Sequence, residues 1–179
     1  MENTTKVVTG KVRFSFVNIF EPKAMNESDQ PKYSLCVLIP KTDTVTIEKI
    51  NKAIECAKQA GKAKLADKNG KIPANIKSPL RDGDVEREDD PAFEGHFFIN
   101  AKSSYKPGVV DRNLNDILER DEVYSGCYGR VSLNFYAYNI SASKGIAAGL
   151  NNVQKLEDGE RLAGAASAAS DFAEDDELA

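Results

Sequence analysis

The sequence predicts an all-β or α+β fold: a small five-stranded barrel with one main α-helix, long loops and a disordered acidic C-terminal tail. Three observations carry this. Strand-like alternation recurs along the chain, only one segment repeats its apolar residues at helical spacing, and no strand–helix–strand rhythm appears. The last nine residues, Asp171 to Ala179, hold five carboxylates and no base, after a run of alanine, glycine and serine with nothing to pack.

Val7 to Ile19 is rich in β-branched and aromatic residues. From Val12 it alternates, with Val12, Phe14 and Phe16 expected on one face and Lys11, Arg13 and Ser15 on the other, as a half-buried strand does. Glu21-Pro22 should end it, because proline brings no donor to a ladder. Ala24 to Lys32 reads as a loop and Tyr33 to Ile39 as a second strand stopped by Pro40. Asp43 or Thr44 can cap a helix in which Ile47, Ile50, Ile54 and Ala57 recur on one face up to Gly61. Lys62 to Pro91 is rich in turn residues and reads as a long irregular excursion, a class of loop that often carries function. Gly95 to Lys102 is a third strand and Tyr105 to Gly108 a turn; Leu114, Ile117 and Leu118 suggest a helical turn or two. Val123 to Tyr138 is the longest strand-like stretch, with Val131, Leu133, Phe135 and Ala137 inward and Arg130, Ser132, Asn134, Tyr136 and Tyr138 outward; Gly126 and Gly129 mark a bulge. Lys144 to Leu150 can close the sheet. A five-stranded, partly open barrel with large loops is the oligonucleotide/oligosaccharide-binding (OB) type; a sandwich is the alternative.

The boundaries expected are a domain over 1–156 and a flexible acidic tail over 157–179. Charge divides the same way. The chain has 24 bases against 28 acids, net −4; without residues 171–179 the balance is 24 against 23, and without residues 157–179 it is 23 against 20, net +3. A slightly basic body beside an acidic tail suggests a polyanion-binding surface with a built-in competitor. The longest apolar run, Leu35 to Ile39, is far too short to span a bilayer, and Met1 to Lys6 lacks the pattern of a signal peptide. A soluble protein acting in the cytoplasm, not at a membrane, is expected. Cys36, Cys56 and Cys127 form no CxxC pair, so free thiols are expected rather than a disulfide or zinc framework. One histidine, His96, excludes a paired-histidine metal site, and no cofactor or metal is implied.

Binding a single strand needs cations along a groove for the phosphates and flat rings for the bases, each stacked base contributing about 1–3 kcal/mol. The candidates are Lys11 and Arg13 on the first strand, Lys102, Tyr105, Lys106 and Arg112 after the third, and Arg130, Tyr136 and Tyr138 on the longest. Any one tyrosine is better explained by cross-strand packing; the set favours a binding face. Of Phe14, Phe16, Phe97, Phe98 and Phe135, at least three should be core. Carboxylates at Asp82, Asp84 and Glu86 to Asp90 could serve a metal-dependent nuclease, but they read as a solvated loop, and no P-loop, nucleophile elbow or zinc pair occurs. The expectation is no catalysis. In the tail, Asp171, Glu174, Asp175, Asp176 and Glu177 are flanked by Phe172 and Leu178, a pattern suited to docking on a partner or competing for the protein's own basic groove.

Several segments, in order over residues 5–162, resemble one family of phage and prophage single-stranded-DNA-binding proteins. They are Gly10 to Phe16, Lys32 to Leu35 leading to Ile39-Pro-Lys41, Pro79 to Asp84, Gly95 to Lys102, Lys106 to Asp111, Val123 to Arg130 and Lys144 to Lys155. The resemblance implies an OB-fold barrel, no catalysis and a role in phage DNA replication or recombination inside the bacterial host. Similar proteins recruit replication enzymes through acidic tails that often end on an aromatic or apolar residue; this chain departs from that pattern, ending Leu178-Ala179 with Phe172 further in. The expected partners are single-stranded DNA, with little sequence preference, and phage or host replication or recombination proteins through the tail. A free barrel edge could also support a homodimer. The rival is a protein-interaction or virion-associated β-domain without nucleic-acid binding.

Overall fold

The first strand-forming run is broken at Thr9 to Lys11, where Gly10 donates its N–H to Thr46 Oγ1 at 2.9 Å. In the computed structural model, which describes residues 4–24, 30–141 and 143–162, this corner separates β1 (Lys6–Val8) from β2 (Val12–Lys23). β3 is Lys32–Pro40 and α1 is Thr44–Ala60. Asp43 caps α1 by accepting the Thr46 N–H at 3.1 Å, and Ile50, Ala53, Ile54 and Ala57 bury its apolar face. The long excursion then holds α2 (Lys62–Leu65), β4 (Arg81–Asp82), α3 (Gly83–Glu86) and a 3-10 turn at Pro91–Phe93. β5 is His96–Ser103, β6 Gly108–Val110, β7 Tyr128–Ile140 and β8 Ser143–Glu157.

Five of these strands close on themselves in a ring. β2 pairs antiparallel with β3 and β7, β3 with β5, and β7 with β8; β5 meets β8 in parallel through Ala101↔Ala148 and Lys102↔Gly149. β1 extends the sheet beside β7, β6 beside β8 and β4 beside β5. The ring encloses Val12, Phe14, Val37, Ile99, Leu133 and Phe135. A second cluster, Cys36, Leu38, Phe93 and Phe98, packs on the outside of β3 and β5, with Phe93 and Phe98 edge-to-face at 5.1 Å. Leu35 to Ile39 is therefore an unbroken apolar run because both of its faces are covered. Among the described residues no helix is long and apolar enough to cross a membrane.

The inward and outward sets expected for the longest strand are those observed. Val131, Leu133, Phe135 and Ala137 are buried, and the ladder to β8 shifts register near Gly129. Four expectations need correction. Phe16 does not continue the face of Val12 and Phe14: β2 bulges after Ser15, Phe16 takes φ 48°, and its ring is 53% exposed. Pro22 does not end β2. The β2–β3 register is irregular between Asn18 and Lys23, so its missing N–H interrupts no regular ladder. No helix forms around Leu114 to Leu118. Asp111 Oδ1 accepts the N–H of Asn113 and Asn115, Leu114 turns to φ 66°, and the 3-10 turn lies later, at Arg120–Glu122. Gly108 belongs to a strand, paired with Asn152, rather than to a turn. Of the tail expected over 157–179, residues 163–179 lie outside the described residues, as do residues 25–29 of the expected loop.

Candidate nucleic-acid interface

Alternation along β7 places Tyr136 and Tyr138 on the outer surface, two residues apart, because Phe135 and Ala137 point into the ring. Tyr136 is 47% exposed. It sits opposite Ala147, and Tyr138 sits opposite Gly145. A Cβ at Gly145 would stand 2.8 Å from the Tyr138 phenol oxygen and 2.7 Å from the Lys77 carbonyl, so the glycine is what lets both approach. The excursion is stitched alongside: Lys77 donates its N–H to Lys144 O (3.0 Å) and accepts the Ile146 N–H (2.9 Å). β5 contributes Asn100 and Lys102, which share its outer face with Phe98. Together these elements form an open cleft of about 800 Å³. Tyrosine rings and small β8 residues lie on one side, and Lys102, Lys77 and Arg81 supply positive charge. Glu86, also in the cleft, is held by Arg81 at 2.6 Å.

Of the nine body residues predicted to bind, the structure brings Lys102, Tyr136 and Tyr138 together in this cleft. Tyr105, 83% exposed, and Lys106 follow just beyond the end of β5, with Lys106 Nζ 5.9 Å from the Phe20 ring. The other four lie outside the cleft lining. Lys11 and Arg13 both stack on Tyr128, at 5.5 and 5.4 Å. Lys11 also pairs with Glu157, and Arg13 donates to Glu160 O (2.7 Å) and Gly126 O (3.1 Å). Arg112 Nε donates to Leu156 O at 2.9 Å, and Arg130 Nε donates to Thr9 O at 2.8 Å. Sequence reasoning missed Lys77 and Arg81. Their signal was weak: two bases flanking Ser78-Pro79-Leu80 inside a loop of no periodicity. The tail candidates Asp171, Phe172, Glu174, Asp175, Asp176, Glu177 and Leu178 lie outside the described residues.

The bases of the other cluster fasten the chain beyond β8. Arg161 lies 4.3 Å over the Tyr124 ring, Leu162 donates its N–H to Ser125 O at 2.9 Å, and Leu162 packs on the second core cluster. Gly126, at φ 118°, fits where a side chain would strike the Glu160 carbonyl. Glu157 is held below the usual carboxylate range by Lys11.

Three of the carboxylates considered for a nuclease, Asp82, Asp84 and Glu86, are paired with bases. Lys41 Nζ lies 2.7 Å from both Asp82 and Asp84, and Arg81 takes Glu86. The hydrogen bonds that Lys41 donates to Asp82 and then to Asp84 hold its ammonium above its ordinary range. Lys41, and then the Gly95 N–H, hold Asp84 below its own. Among the described residues no three histidine, cysteine or acidic side chains converge as a metal site would require. Burial pushes the Cys36 thiol up to about 12, which leaves it unreactive at neutral pH.

The chain is similar to known proteins along nearly its whole length. A family model described as the single-stranded-DNA-binding protein of Enterobacter phage Enc34 matches residues 5–179. Protein p50 of Acyrthosiphon pisum secondary endosymbiont phage 1 is 32% identical over 163 residues, covering 89% of this chain and 87% of that protein. The solved structure of the bacteriophage Enc34 single-stranded-DNA-binding protein in complex with ssDNA superposes with a TM-score of 0.76 at 27% identity, over 88% of this chain and 89% of that one. Gp2.5, a single-stranded DNA binding protein encoded by bacteriophage T7, matches with a TM-score of 0.67 over 95% and 93% of the two chains; at 15% identity that likeness speaks for the fold alone.

Proposed function

Because the chain belongs to the Enterobacter phage Enc34 single-stranded-DNA-binding protein family, we propose that its body holds single-stranded DNA in the cleft between the β7–β8 hairpin, β5 and the segment from Lys77 to Arg81. The observation that carries this reading is the meeting of Tyr136 and Tyr138 with Lys102, Lys77 and Arg81 in one open cleft. The rings stack bases of any identity, since every base has a flat face, and the cations displace counterions from phosphates. Little sequence preference and a steep loss of affinity with salt are the consequences.

The protein is read as non-enzymatic. It would keep strands unpaired and shielded during phage DNA replication or recombination in the host cytoplasm. The tail, with Phe172 and Leu178 among its acids, would recruit a replication or recombination partner, compete with DNA for the basic cleft, or both. The outer edge of β1 is a place where a second copy could add.

Fluorescence anisotropy with labelled oligothymidylate at low and moderate salt tests this directly. Salt-sensitive binding at micromolar protein or below is expected. Its absence would return the chain to the rival reading of a protein-interaction or virion-associated β-domain, and strand scission on adding Mg²⁺ or Mn²⁺ would overturn the non-enzymatic reading.

A further inference from the structure

Phe16 is a large apolar side chain displayed on the surface by a strained backbone. Its φ of 48° lies in the left-handed region, which a bulky residue adopts only at a cost. Neighbours hold it there: Asn18 Nδ2 donates to Phe16 O at 3.2 Å, the next residue, Val17, gives its N–H to Ser125 Oγ at 3.3 Å, and Gly126 gives its N–H to Phe14 O at 2.8 Å. A regular strand would instead have turned Phe16 inward. The bulge exposes a ring that the fold could have buried.

Arg87 stands beside it. Its guanidinium lies 5.7 Å from the Phe16 ring centroid, 5.2 Å from Phe93 and 5.9 Å from Phe98. Among the described residues no carboxylate pairs with it, although acids are plentiful in the same segment. Asp82 and Asp84 are held by Lys41, Glu86 is held by Arg81, and Asp90 accepts the Ala92 N–H. An arginine held on three rings, with no paired carboxylate among the described residues, is arranged to receive an anion. The patch also connects to the cleft, because Arg81, at the cleft, lies 5.9 Å from the same Phe98 ring that Arg87 touches.

We propose that Phe16 and Arg87 form a second base-stacking and phosphate-binding platform, which a single strand reaches past Arg81 on leaving the tyrosine cleft. This rests on the reading of that cleft as the primary single-strand site.

The test is anisotropy on the full chain with oligothymidylates of about 4 and about 20 nucleotides, the span of known single-module sites and slightly more. The variants are Phe16→Gly and Arg87→Gln. Glycine removes the ring and suits the left-handed backbone, so the thermal midpoint of Phe16→Gly should hold or rise. Its affinity for the long oligomer should fall about 5- to 150-fold, the worth of one stacked base, while the short oligomer is unaffected. Arg87→Gln should weaken long-oligomer binding and lower its salt slope by about one. Phe16→Asn, which also tolerates this backbone, serves if the glycine variant loses stability. Unchanged long-oligomer binding in Phe16→Gly and Arg87→Gln, or equal losses on both lengths, overturns the second platform and leaves the cleft standing. Wild-type protein that binds neither oligomer removes the primary reading and this one with it.

Discussion

The phenol oxygen of Tyr138 lies over Gly145, its partner across the β7–β8 ladder, in space that a Cβ on that glycine would contest at 2.8 Å. The same missing side chain admits the Lys77 carbonyl at 2.7 Å. One glycine therefore lets a tyrosine ring and the Lys77 segment approach on the same side of the sheet.

Gly145→Ala should consequently damage both fold and function. The Lys77 carbonyl is fixed by the Ile146 N–H and cannot move aside cheaply. Overpacking of this kind costs about 1–3 kcal/mol, which thermal or urea unfolding would register. DNA affinity should fall as well, measured at a temperature where the variant remains folded. A variant as stable as the wild type would mean that the Lys77 segment is more loosely attached than its hydrogen bonds indicate.

Replacing Tyr136 and Tyr138 together by alanine should separate binding from folding. Tyr136 is nearly half exposed and faces no core cluster, so its removal costs little stability. Two lost stacking partners should weaken single-strand binding by about 2–6 kcal/mol if both rings hold bases. Affinity and midpoint would be compared on the same preparation. Equal damage to both would assign the rings to packing.

Lys102 and Arg130 were equivalent in the sequence but are not equivalent in the fold. Lys102 lines the cleft, whereas Arg130 spends its Nε–H on the Thr9 carbonyl where β1 meets β7. Lys102→Ala should lower the slope of log affinity against log salt by about one. Arg130→Ala should leave that slope nearly unchanged. The opposite ranking would place the DNA path over the outer face of β7 near β1.

Alternation made the inner and outer faces of β7 legible in advance, because one face meets the core and the other does not. α1 was legible for the same reason, with Asp43 as its cap. Alternation could not reveal the bulge at Phe16. It depends on Ser125 and Asn18, one of them more than a hundred positions away in sequence, and a phenylalanine after Phe14 reads as one more core residue. Lys11 and Arg13 read as a basic strand face, yet their fate was set by Glu157, Glu160 and the Tyr128 ring, brought near only by ring closure. Lys77 and Arg81 were hidden for the converse reason. They belong to a segment with no period, whose place is fixed by backbone bonds to β8 and β5.

The clamp of Lys41 on Asp82 and Asp84 should make the segment before β5 sensitive to acid. Asp84 has its folded pKa depressed by Lys41, so its contribution to stability is present above the ordinary carboxylate pKa of about 4 and is lost as pH falls through the lowered folded value. Lys41 is raised, so its contribution is full below the ordinary lysine pKa and fades only as strong alkali passes the higher folded value. Hydrogen exchange of the Gly95 amide, which Asp84 accepts at 3.0 Å, should therefore speed up selectively below about pH 4 after correction for intrinsic rates. Asp84→Asn should flatten that acid dependence. An unchanged acid profile in the variant would show that the clamp contributes nothing to holding the segment.

Deleting residues 171–179 tests what the tail does. Among the described residues the last to fasten onto the body is Leu162, which packs on Cys36, Leu38, Phe93 and Phe98, and deletion of residues 171–179 leaves that contact intact, so the truncated chain should keep the wild-type thermal midpoint. From Leu162 the chain to Asp171 can span at most about 30 Å, enough for the acids to approach the basic residues of the body. Removing five carboxylates should then tighten single-strand binding, most of all at low salt where the screening length is longest, or leave it unchanged if the tail acts only on other proteins. In either case the truncated protein should capture less of any replication or recombination partner. Weaker DNA binding after truncation would exclude self-competition, because an anionic competitor for the cleft cannot strengthen the binding of another anion there.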